Sequence, residues 1–391
     1  MRTAVLSGAI EERSARERVA ALPWYCLTAV FGATCVPLGA LWDISWHSTI
    51  GRDTFWTPAH IMIQVGGLLP GFTAGWLALR ATYFGTSDER AAAVRVWRFR
   101  APLGAWVIMW GTLAMLFSAP FDNWWHNAYG LDVEILSPPH TVLAAGMYAV
   151  ALGSLLLVLG YQNRTGERSG SLLFVYAAGV LLAMSTIIVT EKSYPNQQHG
   201  SFFYEVSAAI YPLYLVAASR ASKMRWGATG AALVYMLIVG AMVWILPLFS
   251  AEPRLAPIYN RVDHMVPPGF PLLLVAPSLA IDAVMIYFGK GRGFWRDSLL
   301  AILLGVAFIG AFFGAQFYFS ELLISPAADN WFLAGNRWWP YFIKPSQWRN
   351  SYWNQANDPL TVAGLCFAFT LAAVKSRIAL AFGNWMSRVQ R

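Results

Sequence analysis

The stretch Trp42–His60, WDISWHSTIGRDTFWTPAH, returns later in the chain as Phe121–His140, FDNWWHNAYGLDVEILSPPH. Asp43, His47, Gly51 and Asp53 recur as Asp122, His126, Gly130 and Asp132, each 79 residues on. Thr57, Pro58 and His60 recur as Ser137, Pro138 and His140, 80 residues on. Each copy reads as the corner of a helical hairpin. An Asp and a His four apart share one face of a helix that continues through them. A glycine then permits a sharp turn. Thr or Ser followed by Pro marks the N-cap and first position of the next helix. His60 and His140 fall in that helix's first turn, facing back towards the preceding one.

Outward from these corners the chain is apolar. Hydrophobic residues make up 57% and charged residues 12%, about half the charged share of a soluble domain. Ten apolar segments follow one another, at 24–44, 58–82, 102–121, 138–161, 170–190, 201–219, 226–249, 269–289, 297–320 and 359–381. Their lengths predict an all-α polytopic membrane protein. The sixth is the least regular, being interrupted by Glu205 and Pro212. Residues 23–391 form one transmembrane helical domain containing a helix-pair repeat, 24–82 and 102–161. Residues 1–22 read as a cytoplasmic amphipathic tail with Glu12 and Arg16, then Arg13 and Glu17, at helix spacing. The tail is too acidic, and lacks a small-residue cleavage site, to be a secretory signal.

An even number of spans puts both termini on one side, and the basic residues say which. Of 28 Lys and Arg, 21 lie in the tails and in the loops near 80–101, 162–169, 220–225 and 290–296. Those segments belong to one face, which the positive-inside bias makes cytoplasmic. The net charge of +8 is thus an insertion signal with an attraction to anionic lipid, and nucleic acid is excluded as a partner. The opposite face carries all six histidines and a long aromatic loop, 321–358, with Trp331, Trp338, Trp339, Tyr341, Trp348, Tyr352 and Trp353. That loop suits either the headgroup level or a docking surface for another subunit. The three cysteines, Cys26, Cys35 and Cys366, sit in apolar runs and read as small buried hydrophobes.

Two imidazoles and a carboxylate converging at each corner make a donor set for a transition metal with open positions. The candidate ligands are Asp43, His47 and His60, and Asp122, His126 and His140. Imidazole serves copper, iron and zinc alike, so ligand type alone does not choose the ion. Asp53 and Asp132 are either outer carboxylates that orient an imidazole or turn formers. His199 and His264 lie on other loops of the same face and are auxiliary candidates, with a plain hydrogen-bonding role the simpler reading.

The run Arg52-Asp53-Thr54-Phe55-Trp56-Thr57-Pro58-Ala59-His60, preceded by Asp43-x3-His47, resembles the signature of the C subunit of the copper membrane monooxygenases. That family includes the particulate methane, ammonia and related hydrocarbon monooxygenases. The resemblance implies copper at Asp43, His47 and His60. A second site is implied at Asp122, His126 and His140, where the family pattern has Asn in place of Asp122. It also implies hydroxylation of a small apolar substrate or ammonia with oxygen, and partner membrane subunits. It covers about a quarter of the chain, and helices five to ten have no counterpart in it. It places the protein in the cytoplasmic or intracytoplasmic membrane, and the charge bias puts the metal sites near the extracytoplasmic side. Two other classes compete. One is a copper or zinc carrier or insertion protein. The other is a haem-binding electron-transfer subunit.

Overall fold

The computed structural model describes residues 22–390 apart from 55, 92, 131–136, 190–193, 336, 338 and 345–357. It is all-α, with one small β-hairpin. The main helices are α1 (Trp24–Thr49), α2 (Pro58–Leu79), α3 (Leu103–Tyr129), α4 (Pro138–Thr165) and α5 (Arg168–Ile188). They continue as α6 (Ser201–Ala221), α7 (Gly227–Ile245), α8 (Val275–Phe288), α9 (Phe294–Leu323) and α10 (Val362–Met386). Nine of these elements are long and apolar enough to cross a membrane, so the chain is a polytopic membrane protein. The expected amphipathic tail, and Trp338, Trp348, Tyr352 and Trp353 of the aromatic loop, lie outside the described residues.

The eighth apolar segment differs from expectation. Only Val275–Phe288 is helical, 14 residues, roughly 21 Å of helix against a hydrocarbon core of about 30 Å. Pro267, Pro268 and Pro271 break the run before it. The freed backbone is satisfied inside the protein: the Leu272 amide donates to Tyr235 Oη at 2.9 Å and the Leu273 amide to Gln316 Oε1 at 2.8 Å. Irregular backbone at such depth is tolerated only where protein groups meet it in this way. The sixth segment, by contrast, is an uninterrupted helix despite Glu205 and Pro212.

The bundle has two distinct ends. At one, Asn163 Nδ2 donates to the carbonyls of Met386 and Val389, Lys223 Nζ to that of Gln162, and Arg220 to those of Gly289 and Gly291. Leu22 and Tyr25 at the start of α1 pack in the same cluster as Tyr161, Met386 and Val389. Both described chain ends therefore share this basic end. Here too lies the hairpin, β1 (Val94–Val96) and β2 (Phe99–Ala101), paired antiparallel with Val96 opposite Phe99. The corners between α1 and α2 and between α3 and α4 occupy the other end.

Glycines set how closely each hairpin packs. A side chain on Gly66 would meet the Gly32 carbonyl at 2.9 Å, and one on Gly146 the Gly111 carbonyl at 2.8 Å. Gly32 and Gly111 are 79 residues apart, Gly66 and Gly146 are 80. The repeat thus extends from the corners into the helix contacts, where small residues let backbones approach in a membrane.

Candidate metal centre

Helix α1 outruns its apolar stretch and stays helical through Thr49. That extension carries Asp43 and His47 on adjacent turns of one face. Its C-terminus closes at Trp46, whose carbonyl accepts from the amides of Ile50 and Gly51 at 2.8 and 3.2 Å. Gly51 takes the turn at φ +80°, a conformation that glycine adopts freely. The Trp46 indole holds the far side of the turn by donating to the Arg52 carbonyl at 2.9 Å. Thr57 sits at the N-cap of α2 with Pro58 behind it. Its hydroxyl accepts from the Thr54 amide at 2.9 Å rather than from the helix. The loop is thereby folded back so that Asp53 and His60 face Asp43.

Four side-chain atoms form a closed circuit. His60 Nε2 lies 3.0 Å from Asp43 Oδ1 and 3.4 Å from Asp53 Oδ2. His47 Nε2 lies 3.9 Å from Asp43 Oδ1 and 3.5 Å from Asp53 Oδ2. Asp43, Asp53 and His60 offer ligand atoms all within 4.8 Å of one another. A tetrahedral ion with bonds of about 2.0–2.2 Å sets its ligand atoms about 3.3–3.6 Å apart, close to the spacings of His60 from Asp43 and Asp53. The group is half-buried, with His47 on the outer rim.

The hydrogen bond at the far side of the His60 ring leaves Nε2 to face the carboxylates. Its Nδ1 lies 2.9 Å from the Thr54 carbonyl, which can only accept, so Nδ1 carries the proton. In the neutral ring the Nε2 lone pair then points at two carboxylates. Asp43 Oδ1 is buried, and at 3.0 Å from Nε2 it is met either by a proton on that nitrogen or by a cation in the proton's place. Two acceptors and a lone pair converge, an arrangement that a bound cation neutralises.

Asp53 thus stands beside both imidazoles, nearer than Asp43 to His47 and farther than Asp43 from His60. In the second copy, the Nε2 of His140 lies 3.6 Å from Asp122 Oδ1, and Gly130 takes its turn at φ +89°. Ser137 is the N-cap of α4, with Pro138 at its first position. The His126 side chain and Asp132 lie outside the described residues.

The two auxiliary histidines meet partners away from the corner ligands. His199 ends a 3₁₀ turn, Pro195–His199. It is buried against α9, with Ser320 Oγ 3.3 Å from Nε2 and the Phe317 ring edge-on at 4.7 Å. Burial pushes its pKa down, opposed by Glu321. His264 sits in the 250–268 loop with Nδ1 2.7 Å from Asp263 Oδ1. That bond holds the Asp263 carboxyl below its usual range.

Sequence reasoning missed what holds the first corner in place. The Tyr341 amide donates to the Ser48 carbonyl at 3.1 Å and the Arg254 amide to the Ile50 carbonyl at 3.0 Å. The Val266 amide donates to Thr49 Oγ1 at 2.7 Å. These bonds satisfy the open end of α1 with two loops from the second half of the chain. Nothing at Tyr341 or Arg254 in the sequence signals the contact. No family model, no curated protein and no solved structure matches the chain.

Proposed function

We propose that this chain is a metal-binding integral membrane subunit whose principal site is formed by Asp43, Asp53, His60 and His47. The ion we assign is copper, in a monooxygenase-like complex that hydroxylates a small apolar substrate or ammonia with oxygen. The convergence of Asp43, Asp53 and His60, whose ligand atoms all lie within 4.8 Å of one another with His47 at the rim, supports the metal reading. The resemblance of Arg52–His60 to the copper monooxygenase signature carries the choice of copper. Asp122, His126 and His140 form the second site by the same pattern. The basic end of the bundle faces the cytoplasm by its charge, which leaves both corners extracytoplasmic. Other membrane subunits complete the complex.

The residues divide the work. Asp43 and Asp53 supply negative charge to the cation, and His60 and His47 supply neutral nitrogen. Thr54 fixes the His60 tautomer, and Trp46 keeps the turn closed. When bound, copper supplies the site with one-electron chemistry towards oxygen. The surrounding apolar helices admit a poorly soluble substrate and limit water.

A second reading is favoured by Asp53. Two carboxylates with two imidazoles also suit a redox-silent zinc ion, as in a membrane metal-handling protein. Metal analysis of protein purified after copper-replete and zinc-replete growth separates the two. Copper is expected in the wild type, with about one equivalent fewer in Asp43→Asn and nitrogen coupling in the electron paramagnetic resonance spectrum. Retention of zinc alone supports metal handling. Absence of any metal from wild type under both conditions overturns both readings.

A further inference from the structure

The loop between α2 and α3 ends in a hairpin whose tip carries an indole on backbone that disfavours it. Trp97 has φ +51°, a region that side chains other than those of Gly, Asn and Asp seldom adopt. Its indole is 85% exposed and has no ring or hydrogen-bond partner among the described residues. Glycine would relax this two-residue turn; tryptophan keeps it strained and presents a large ring outward. Phe84, at the end of the π-helical turn that closes the α2 span, is 81% exposed on the same loop.

Around these rings basic residues outnumber acidic ones. Arg80 pairs with Glu89 at 3.0 Å. The other guanidiniums meet backbone: Arg90 donates to the Tyr83 carbonyl, Arg100 to the Arg90 carbonyl and Arg95 to the Trp97 carbonyl. Arg98 is exposed beside Trp97. No carboxylate pairs with Arg90, Arg95, Arg98 or Arg100 among the described side chains. The loop joins the basic ends of two membrane-length helices, Pro58–Phe84 and Leu103–Tyr129, which sets it at headgroup level. Indoles favour that level, and guanidinium matches phosphate with two parallel hydrogen bonds.

We propose that this hairpin is a docking site for the phosphate headgroup of an anionic phospholipid, with Trp97 and Phe84 seated among headgroups and Arg95 and Arg98 on the phosphate. An acidic protein would answer the charge, but the position at the ends of two spans favours lipid.

The test uses the full chain in nanodiscs of phosphatidylglycerol with phosphatidylcholine, or of phosphatidylcholine alone. In 5-fluorotryptophan-labelled protein, the fluorine resonance missing from Trp97→Gly identifies Trp97. It is expected to broaden with a headgroup spin label and to shift on adding phosphatidylglycerol. The paired change Arg95→Ala with Arg98→Ala is expected to weaken phosphatidylglycerol retention in native mass spectrometry about tenfold to thirtyfold. Trp97→Gly is expected to keep or raise thermal stability while lowering that retention, so lost folding cannot imitate the result. A Trp97 resonance broadened by a water-soluble paramagnet and indifferent to lipid overturns the proposal. Unchanged retention in both variants does so too, and points to a soluble partner.

Discussion

The Asp43 corner is held from behind by loops of the second half of the chain, a backbone clasp that residues 121–130 of the Asp122 corner do not share among the described residues. Both are hairpins of one repeat, with a positive-φ glycine and an S/T-Pro helix start. Both bring glycines together in the helix contact below. They part in what surrounds the turn. A side chain on Gly51 would strike Tyr341 Oη, whereas among the described residues nothing lies within 4 Å of one on Gly130. Loops from beyond α7 donate to Ser48, Thr49 and Ile50. Among the described residues no backbone hydrogen bond joins residues 121–130 to that half of the chain. A copied motif therefore gives a copied turn, and the described surroundings of the two turns differ. Rigidity at the first corner comes from α6–α10 and their loops, and ligands held more rigidly bind an ion with less ordering cost.

The glycines offer the sharpest way to break this comparison. Alanine at Gly51 meets two penalties, the left-handed backbone at about 1–2 kcal/mol and overpacking against Tyr341 at about 1–3 kcal/mol. Alanine at Gly130 meets the first alone. Thermal unfolding in detergent should therefore fall clearly further for Gly51→Ala than for Gly130→Ala. Equal losses would show that the Tyr341 contact constrains nothing.

Thr49→Val tests the clasp without touching the turn. The change keeps the shape but leaves the buried Val266 amide without its acceptor, at a cost of about 1–3 kcal/mol. Hydrogen exchange should rise across the 250–268 loop and the end of α1, and stay unchanged at the Asp122 corner. Exchange that rises equally at both corners would mean that the bond serves the whole bundle.

What was legible in the sequence follows the same division. Local signals were strong where the physics is local. Apolar runs marked the spans, Gly51 and Gly130 marked the turns, and Thr57-Pro58 and Ser137-Pro138 marked the helix starts. The half-length α8 was hidden because its apolar run is continuous, and the breaks at Pro267, Pro268 and Pro271 matter only once Tyr235 and Gln316 receive the freed amides. Glu205 and Pro212 suggested weakness in α6 that tertiary packing overrides. The clasp was invisible because backbone amides carry most of it, and an amide has no sequence signature. The Gly32–Gly66 and Gly111–Gly146 contacts were within reach, since they keep the spacing of the corner motif.

Asp53 is the remaining point of comparison, and the smallest expected effect. As an outer carboxylate or a turn former it would matter through geometry alone. Beside His47 and His60 at 3.5 and 3.4 Å it would contribute charge directly to a bound cation. Asp53→Asn keeps the size and the turn-forming amide oxygen while removing the charge. Metal affinity at the first site should then fall about tenfold or somewhat more, read by competition with a chromogenic chelator, while thermal stability of the metal-free protein barely moves. The reason is electrostatic: without Asp53 one carboxylate must balance the ion. A variant that binds as tightly as wild type would return Asp53 to the turn and reduce the centre to Asp43, His47 and His60. That result would also make the first corner chemically equal to Asp122, His126 and His140, so that any remaining difference between the two sites would lie in the clasp.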